Sequence, residues 1–327
     1  MIVTRTSVRL PLGGGGTDLP WYANEHGGFL LATAIDKYVY VIVKRRFEPS
    51  IRVSYSKTEI VDAVEQIQHP LVREALKLLK VQDPIEIVSL ADVPANTGLG
   101  TSSSFTVGLL NALHAYGGEY VSAQQLAQEA CQIEMDTLAE PIGKQDQYLA
   151  ALGGVTCLEI ARDGTVSALP LRLSPDAREQ FESNTLLFYT GIRRNASEVL
   201  GEQRDASGKE RNQQIERLHR IKEIGREVQR CFLAGDLDEF GRLLDAHWQV
   251  KRGLSPKVSE NRIDRWYEIA RANGALGGKL MGAGGGGFLM FYCNGGKQRL
   301  RSVMEQEGLQ EMRFRIEKDG SKVLVNF

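Results

Sequence analysis

The chain opens on IVTRTSVRLPL, an apolar-rich run that ends in Gly13–Gly16 and reads as a strand entering a turn. Residues 28–46, GFLLATAIDKYVYVIVKRR, are rich in β-branched and aromatic side chains, partly alternating, and predict one or two strands. Residues 58–80 predict two short helices broken near Pro70, and IEIVSLA at 85–91 alternates as a strand. The glycine- and serine-rich PANTGLGTSSS follows, and then FTVGLLNALHAY takes helical spacing. Ser122 and Gln125 fit a capping box that opens a helix running to about Leu138. GKQDQYLAALGG comes next, and short strands are expected near 154–160 and 165–171.

In the second half, Ser174-Pro175 reads as an N-cap and first helical position. LLFYT at 186–190 predicts a strand. Between 210 and 234, Ile215, Leu218, Ile221, Ile224, Val228 and Phe232 form one apolar stripe on a helix. Two more helices are expected at 236–250 and 260–273. KLMGAGGGGFLMFYC predicts a glycine turn running into a buried strand. A helix near 297–307 and strands near 311–317 and 322–327 complete the chain. Strands and helices mix in both halves without a regular βαβ repeat. At roughly 150 residues per domain, 327 residues suggest two domains or one large one, and we divide the chain loosely into 1–172 and 173–327.

Composition mainly excludes. Lys+Arg is 40 and Asp+Glu 41, so no charge excess points to nucleic acid or an anionic membrane. Apolar content of 42% with 25% charged residues is ordinary for a globular protein and argues against disorder. No apolar run approaches a membrane span, and the N-terminus has no signal-peptide pattern. Cys131, Cys157, Cys231 and Cys293 are scattered, which fits reduced thiols in a cytoplasm. The five histidines show no ligand spacing and read as structural. Glycine, at 34 residues, is in surplus, but four fall at 13–16, two at 98 and 100, and five between 282 and 287.

Those clusters carry the chemistry. In PANTGLGTSSS, Gly98 and Gly100 let the backbone bend sharply and approach a ligand. Serines crowd the start of the following helix, where unpaired N–H groups and the dipole favour an anion. A di- or triphosphate is the expected guest; the plainer alternative is a serine-capped helix after a flexible turn. No Gly-Lys pair is followed by Ser or Thr, so this is not a Walker A loop. Residues 282–287 match GxGxxG, but a strand follows where a dinucleotide site needs a helix.

PANTGLGTSSS resembles the phosphate loop of the GHMP small-molecule kinases. RLPLGGGGTD (9–18) resembles the family's N-terminal motif and KLMGAGGGGF (279–288) its C-terminal glycine motif. GKQDQ (143–147) is similar to the segment that carries the catalytic Asp in the family's sugar kinases. Shorter segments, GGGGTDLP, EHGG, IDKYVYV and YTGIRRNASEVL, resemble the branch that phosphorylates D-glycero-D-manno-heptose 7-phosphate on its anomeric hydroxyl. The resemblance implies an α+β fold in two domains, an N-terminal ribosomal-protein-S5-like domain and a C-terminal ferredoxin-like domain, with the active site between them. It implies ATP as co-substrate, Mg²⁺ as cofactor and a sugar phosphate as partner; a homodimer is left open.

By the same resemblance, Asp146 takes the catalytic position and Arg9 stands beside it, stabilising its charged form and charge on the transferred group. An anionic Asp beside an arginine suits positioning of the hydroxyl as well as deprotonation. Pro94, Asn96, Thr97, Gly98, Leu99, Gly100, Thr101, Ser102, Ser103 and Ser104 are expected at the nucleotide phosphates, with Ser102 and Glu134 as Mg²⁺ ligands. Gly14, Gly15, Gly16, Thr17, Asp18, Lys144, Gln145, Gly284 and Gly285 are expected around the sugar. Galactokinase-like members carry a Glu-His pair where this chain has Gly15 and Gly16. The missing side chains leave room for a larger sugar, an account that requires both glycines to face the cleft. Arg193 and Arg194, with Lys144 as a further candidate, offer cations for a sugar's own phosphate. Trp21, Tyr22 and His26 are candidate walls of the sugar site. The alternatives are another sugar-1-kinase, of fucose, galactose or octose-phosphate type, or a non-catalytic sugar sensor with the same fold.

Overall fold

The structure, a computed structural model, describes residues 1–193 and 196–327. The first strand, β1 (Ile2–Gly13), leads through the glycine turn into a short helix α1 (Pro20–His26) and then a single strand of 18 residues, β2 (Gly28–Arg45). Next come β3 (Ile51–Ser54), β4 (Thr58–Val61), α2 (Pro70–Leu78) and β5 (Ile85–Ala91). The first of the two helices expected over 58–80 is instead β4 and a single 3-10 turn, because residues 58–61 pair with β3. Three helices follow, α3 (Thr101–Tyr116), α4 (Ala123–Cys131) and α5 (Gln145–Leu152), and then β6 (Val155–Ile160) and β7 (Val166–Pro170). Ser122 caps α4 by accepting the Gln125 N–H at 3.1 Å. The Gln125 side chain turns to Glu129 instead of closing the box, and Gln132–Thr137 widen into a π-helical turn.

Beyond residue 172 lie α6 (Pro175–Asn184), β8 (Thr185–Tyr189), α7 (Ala196–Asp205), α8 (Gly208–Ala234), α9 (Leu237–Arg252) and α10 (Asn261–Ala272). The chain ends with β9 (Gly277–Leu280), β10 (Phe288–Tyr292), α11 (Lys297–Gln306), β11 (Gln310–Met312) and β12 (Lys322–Asn326). Ser174 caps α6 as expected, and five of the six stripe residues on α8 are fully buried. Helix α7 and strand β9 carry no clear pattern of their own and were not expected.

Two sheets organise the chain. The larger has eight strands in the order β12-β1-β2-β5-β3-β4, with β6 and β7 branching from β2. Strand β2 is long enough to take two partners on one edge: residues 28–33 pair with β6 and 39–45 with β5. The smaller sheet is antiparallel in the order β11-β8-β10-β9. Taken in chain order its strands lie 4-1-3-2, the ferredoxin-like arrangement that a split β-α-β-β-α-β unit produces. Strand β12 does not stay with the small sheet. It crosses back to pair with β1, and Ile316 bridges Ile35 on the way.

The halves meet through glycine. A Cβ on Gly13, at the end of β1, would lie 2.9 Å from the Gly225 Cα of α8, so helix and strand backbones touch directly. Among the described residues no helix is long and apolar enough to cross a membrane.

Candidate active site

Helix α3 begins where the backbone turns through left-handed geometry at Asn96, Gly98 and Gly100, with φ of 60°, 79° and 78°. No side chain caps its first turn. Its free N–H groups therefore remain available, which is what an anion site requires. The C-terminal glycine motif supports this loop from behind. A Cβ on Gly98 would fall 2.5 Å from the Met281 carbonyl oxygen, and one on Gly287 would fall 2.2 Å from that of Thr97. Two distant glycine segments are thus packed backbone to backbone, so neither tolerates a side chain there.

This junction opens onto a cavity of about 360 Å³. Arg9, from β1, donates from Nε and Nη2 to the two carboxylate oxygens of Asp146 at 2.7 and 2.8 Å. Its Nη1 donates to the Gly98 carbonyl at 2.6 Å and its backbone N–H to Leu99 at 3.0 Å. One buried arginine so ties the carboxylate at the start of α5 to the phosphate loop, in the bidentate geometry that is strongest for this pair. Both residues line the cavity.

Asp18 also faces the cavity and is 4% exposed. Its oxygens accept the N–H groups of Gly16 (3.2 Å) and Gln145 (3.1 Å). Burial raises its pKa above the ordinary carboxylate value, and the negative charge of Asp146 adds to this. Gly143 makes the placement possible: a Cβ there would sit 2.1 Å from Asp18 Oδ2. Gly15 and Gly16 both line the cavity, and a Cβ on Gly15 would meet nothing nearer than Pro11 Cβ at 4.0 Å.

Glu134 lies in the π-helical turn, a distortion that often marks functional positions. It is 2% exposed and accepts from Ser103 Oγ (2.7 Å), Thr106 Oγ1 and Gln147 Nε2. Burial pushes its pKa up to about 7 against the pull of these three donors. Its hydroxyl partners are Ser103 and Thr106; the expected ligand Ser102 instead exposes its side chain to the cavity. The oxygens suit a hard cation. Ser102 and Glu134 both line the cavity, Thr101 Oγ1 is buried without a partner, and Mg²⁺ often takes only one or two protein ligands beside phosphates and water.

Other expected site residues divide clearly. Asn96, Thr97, Gly98, Gly100, Thr101, Ser102, Ser103 and Gln145 line the cavity. Pro94, Leu99 and Ser104 hold the loop instead: Pro94 accepts from Thr97 Oγ1, Leu99 is in the core, and Ser104 Oγ donates to the Ser7 carbonyl. Gly14 and Thr17 turn to the backbone of Phe29, away from the cavity. Gly284 and Gly285 pack on Val258. Lys144 donates to the Gly164 carbonyl at 2.6 Å, and Arg193 is exposed beside Tyr189. Arg194 lies outside the described residues. Trp21, Tyr22 and His26 do not wall the site, because α1 packs against α8, where the Tyr22 hydroxyl meets His219 Nδ1 at 2.7 Å.

Three basic residues that the sequence reading placed outside the site line the cavity: His247, read there as structural, and Lys251 on α9, and Lys279 on β9. The available signal was faint. His247 and Lys251 are four apart on one helix face, and Lys279 opens the glycine motif.

Comparison with known proteins identifies the family. The model of the GHMP kinases N terminal domain matches residues 62–154, and that of the GHMP kinases C terminal matches residues 228–308. The chain belongs to the GHMP kinase family. A curated relative from Campylobacter jejuni, a D-glycero-alpha-D-manno-heptose 7-phosphate kinase, is 28% identical over 98% of both chains. The L-fucokinase/L-fucose-1-P guanylyltransferase of Bacteroides fragilis is also 28% identical, over 92% of this chain but 36% of its own length. A D-glycero-D-manno-heptose 1-phosphate kinase structure from Bacteroides thetaiotaomicron shares the fold with a TM-score of 0.82 at 24% identity, covering all of both chains. Galactokinase of Lactococcus lactis, solved with galactose, does so at 0.77 and 18% identity, over 99% of this chain and 95% of its own. The four GHMP motifs of this chain meet at one cavity, although they begin at residues 9, 94, 143 and 279.

Proposed function

We propose that this GHMP kinase, an ATP-dependent sugar kinase, transfers the terminal phosphoryl group of ATP to the anomeric hydroxyl of a sugar phosphate, with D-glycero-D-manno-heptose 7-phosphate as the leading acceptor. One observation carries the reading: Asp146, clamped by Arg9, faces the same cavity as an uncapped helix N-terminus. Phosphoryl transfer needs little more than positioning and charge stabilisation, and these residues supply both. Asp146 accepts the hydrogen bond of the attacking hydroxyl and orients it. Arg9 fixes that carboxylate and turns its remaining N–H donors toward the transferred group. The first turn of α3 receives the nucleotide phosphates. Asp18 receives sugar hydroxyls, and Gly15 and Gly16 leave space for an acceptor bulkier than galactose. Ser102 and Glu134 are the residues that would hold Mg²⁺, which when bound neutralises charge on the phosphates. The heptose 7-phosphate kinase relative, matched over nearly its whole length, supports this acceptor ahead of fucose or galactose.

The test is ADP release with ATP, Mg²⁺ and a panel of heptose 7-phosphate, fucose, galactose and mannose. The reading requires heptose 7-phosphate to give the highest kcat/KM. Preference for an unphosphorylated sugar would refute the acceptor, and no turnover on any sugar would favour a sensor.

A further inference from the structure

The cavity has a basic wall that the reaction described above does not use. His247 and Lys251 stand one helical turn apart on α9, with Lys279 alongside on β9. Lys279 is 1% exposed and His247 2%. Lys279 Nζ donates to the Leu12 carbonyl at 3.2 Å, and Lys251 Nζ donates to the carbonyls of Leu280, at 3.1 Å, and Gly282. An ammonium has three donors, so each lysine keeps capacity that no group among the described residues fills. Among the described residues neither ammonium has an ion-pair partner, and both ring nitrogens of His247 are buried without a hydrogen bond. Buried charges are ordinarily paired and buried polar atoms ordinarily bonded. Here burial lowers the pKa of Lys251 to about 7 and pushes those of Lys279 and His247 well below their usual values, with neighbouring cations contributing. The common deficit is negative charge.

We infer that His247, Lys251 and Lys279 form a seat for a phosphate group, distinct from the phosphate loop. Two adjacent ammonium groups call for more than a sugar hydroxyl, which carries no charge, or a carboxylate, which carries one. A phosphate monoester brings ~1.5–2 negative charges and three acceptor oxygens, matching two lysines and an imidazole donor. Phosphate reaches this cavity in two ways under the proposed function, on which the inference rests: on the acceptor sugar, or in transit from the nucleotide. Of the cations expected to hold the acceptor's phosphate, Lys144 and Arg193 do not line the cavity, and Arg194 lies outside the described residues.

The first experiment needs neither nucleotide nor sugar. Inorganic phosphate is titrated into the full-length wild-type protein while the His247 ring resonances are followed by NMR. Saturable shifts are expected, and in Lys251→Met they should require at least tenfold more phosphate. Lys251→Arg, which keeps the charge, should restore most of the affinity. His247 resonances that phosphate leaves unmoved in the wild type overturn the seat, whether or not Lys251→Met folds. Steady-state kinetics of Lys251→Met then separate the two sources. A tenfold rise in KM for heptose 7-phosphate, with unchanged affinity for a non-hydrolysable ATP analogue, assigns the seat to the acceptor's phosphate. A tenfold fall in kcat with both affinities preserved assigns it to the transferred group. Kinetic and binding constants all within twofold of wild type overturn the inference. If the wild type accepts no sugar phosphate, the proposed acceptor fails while the NMR titration still decides the seat.

Discussion

Replacing Asp146 by Asn keeps the side chain's shape and removes its charge. The clamp from Arg9 consists of two short N–H···O bonds, and the Arg9 side chain is only 5% exposed. In the variant, one oxygen remains as acceptor and an NH₂ group faces a guanidinium N–H. Stranding a buried charge costs ~3–5 kcal/mol. The Asp146 side chain, however, is 25% exposed, so water recovers part of this and roughly 2–3 kcal/mol of stability should be lost. For a protein this large that corresponds to a thermal midpoint lower by about 3–4 °C. The catalytic effect is separate. Loss of the group that orients the acceptor hydroxyl should reduce kcat by ~10²–10⁴-fold, or about 3–5 kcal/mol of barrier. Coupled ADP release measures the rate, and calorimetric titration with a non-hydrolysable ATP analogue shows whether the nucleotide site survives. A kcat within threefold of wild type would refute the role of Asp146. A full loss of nucleotide binding would show that the substitution had collapsed the loop, which Arg9 also holds through Gly98.

Gly143→Ala places a methyl group against the Asp18 carboxylate, where 2.1 Å is available, so it should raise the KM for sugar at least tenfold while the chain still folds; an unchanged KM would remove Asp18 from the sugar site. Ser102→Ala deletes an exposed hydroxyl that caps nothing, so stability should hold while the Mg²⁺ concentration for half-maximal rate rises about tenfold; unchanged Mg²⁺ dependence would sink the ligand assignment. His114 bonds Glu129 at 2.7 Å and Glu119 at 3.0 Å, and its pKa is raised chiefly by Glu129, against burial, with Glu119 assisting. A raised folded-state pKa gives stability that is present in full below the unfolded value of ~6.5 and lost as pH rises through the folded one. His114→Gln should therefore lower the urea midpoint more at pH 5.5 than at pH 9, and a deficit independent of pH would refute the linkage.

Local chemistry made much of the molecule readable in advance. The Ser122 and Ser174 caps, the α8 stripe and the phosphate loop depend on residues near one another in the chain, so spacing and residue type suffice to specify them. The same holds for the four motifs, each a contiguous run whose glycines and charged side chains have narrow physical uses. What those runs could not contain was the partner each would meet. Gly284 makes room for Val258, Gly98 and Gly282 for each other, and Gly287 for Thr97, because a glycine records only that a Cβ is excluded and not by what. The β4 strand exists because β3 lies beside it, and β12 joins the first sheet from the far end of the chain, since strand pairing is decided by a neighbour that local pattern does not name. The basic wall is the strongest case. His247 and Lys251 sit on an ordinary amphipathic helix and Lys279 on a four-residue strand. Sequence alone supplied their identities; only the docking of α9 and β9 against Arg9 and the phosphate loop buried His247 and Lys279 beside a half-buried Lys251, with no counter-ion among the described residues.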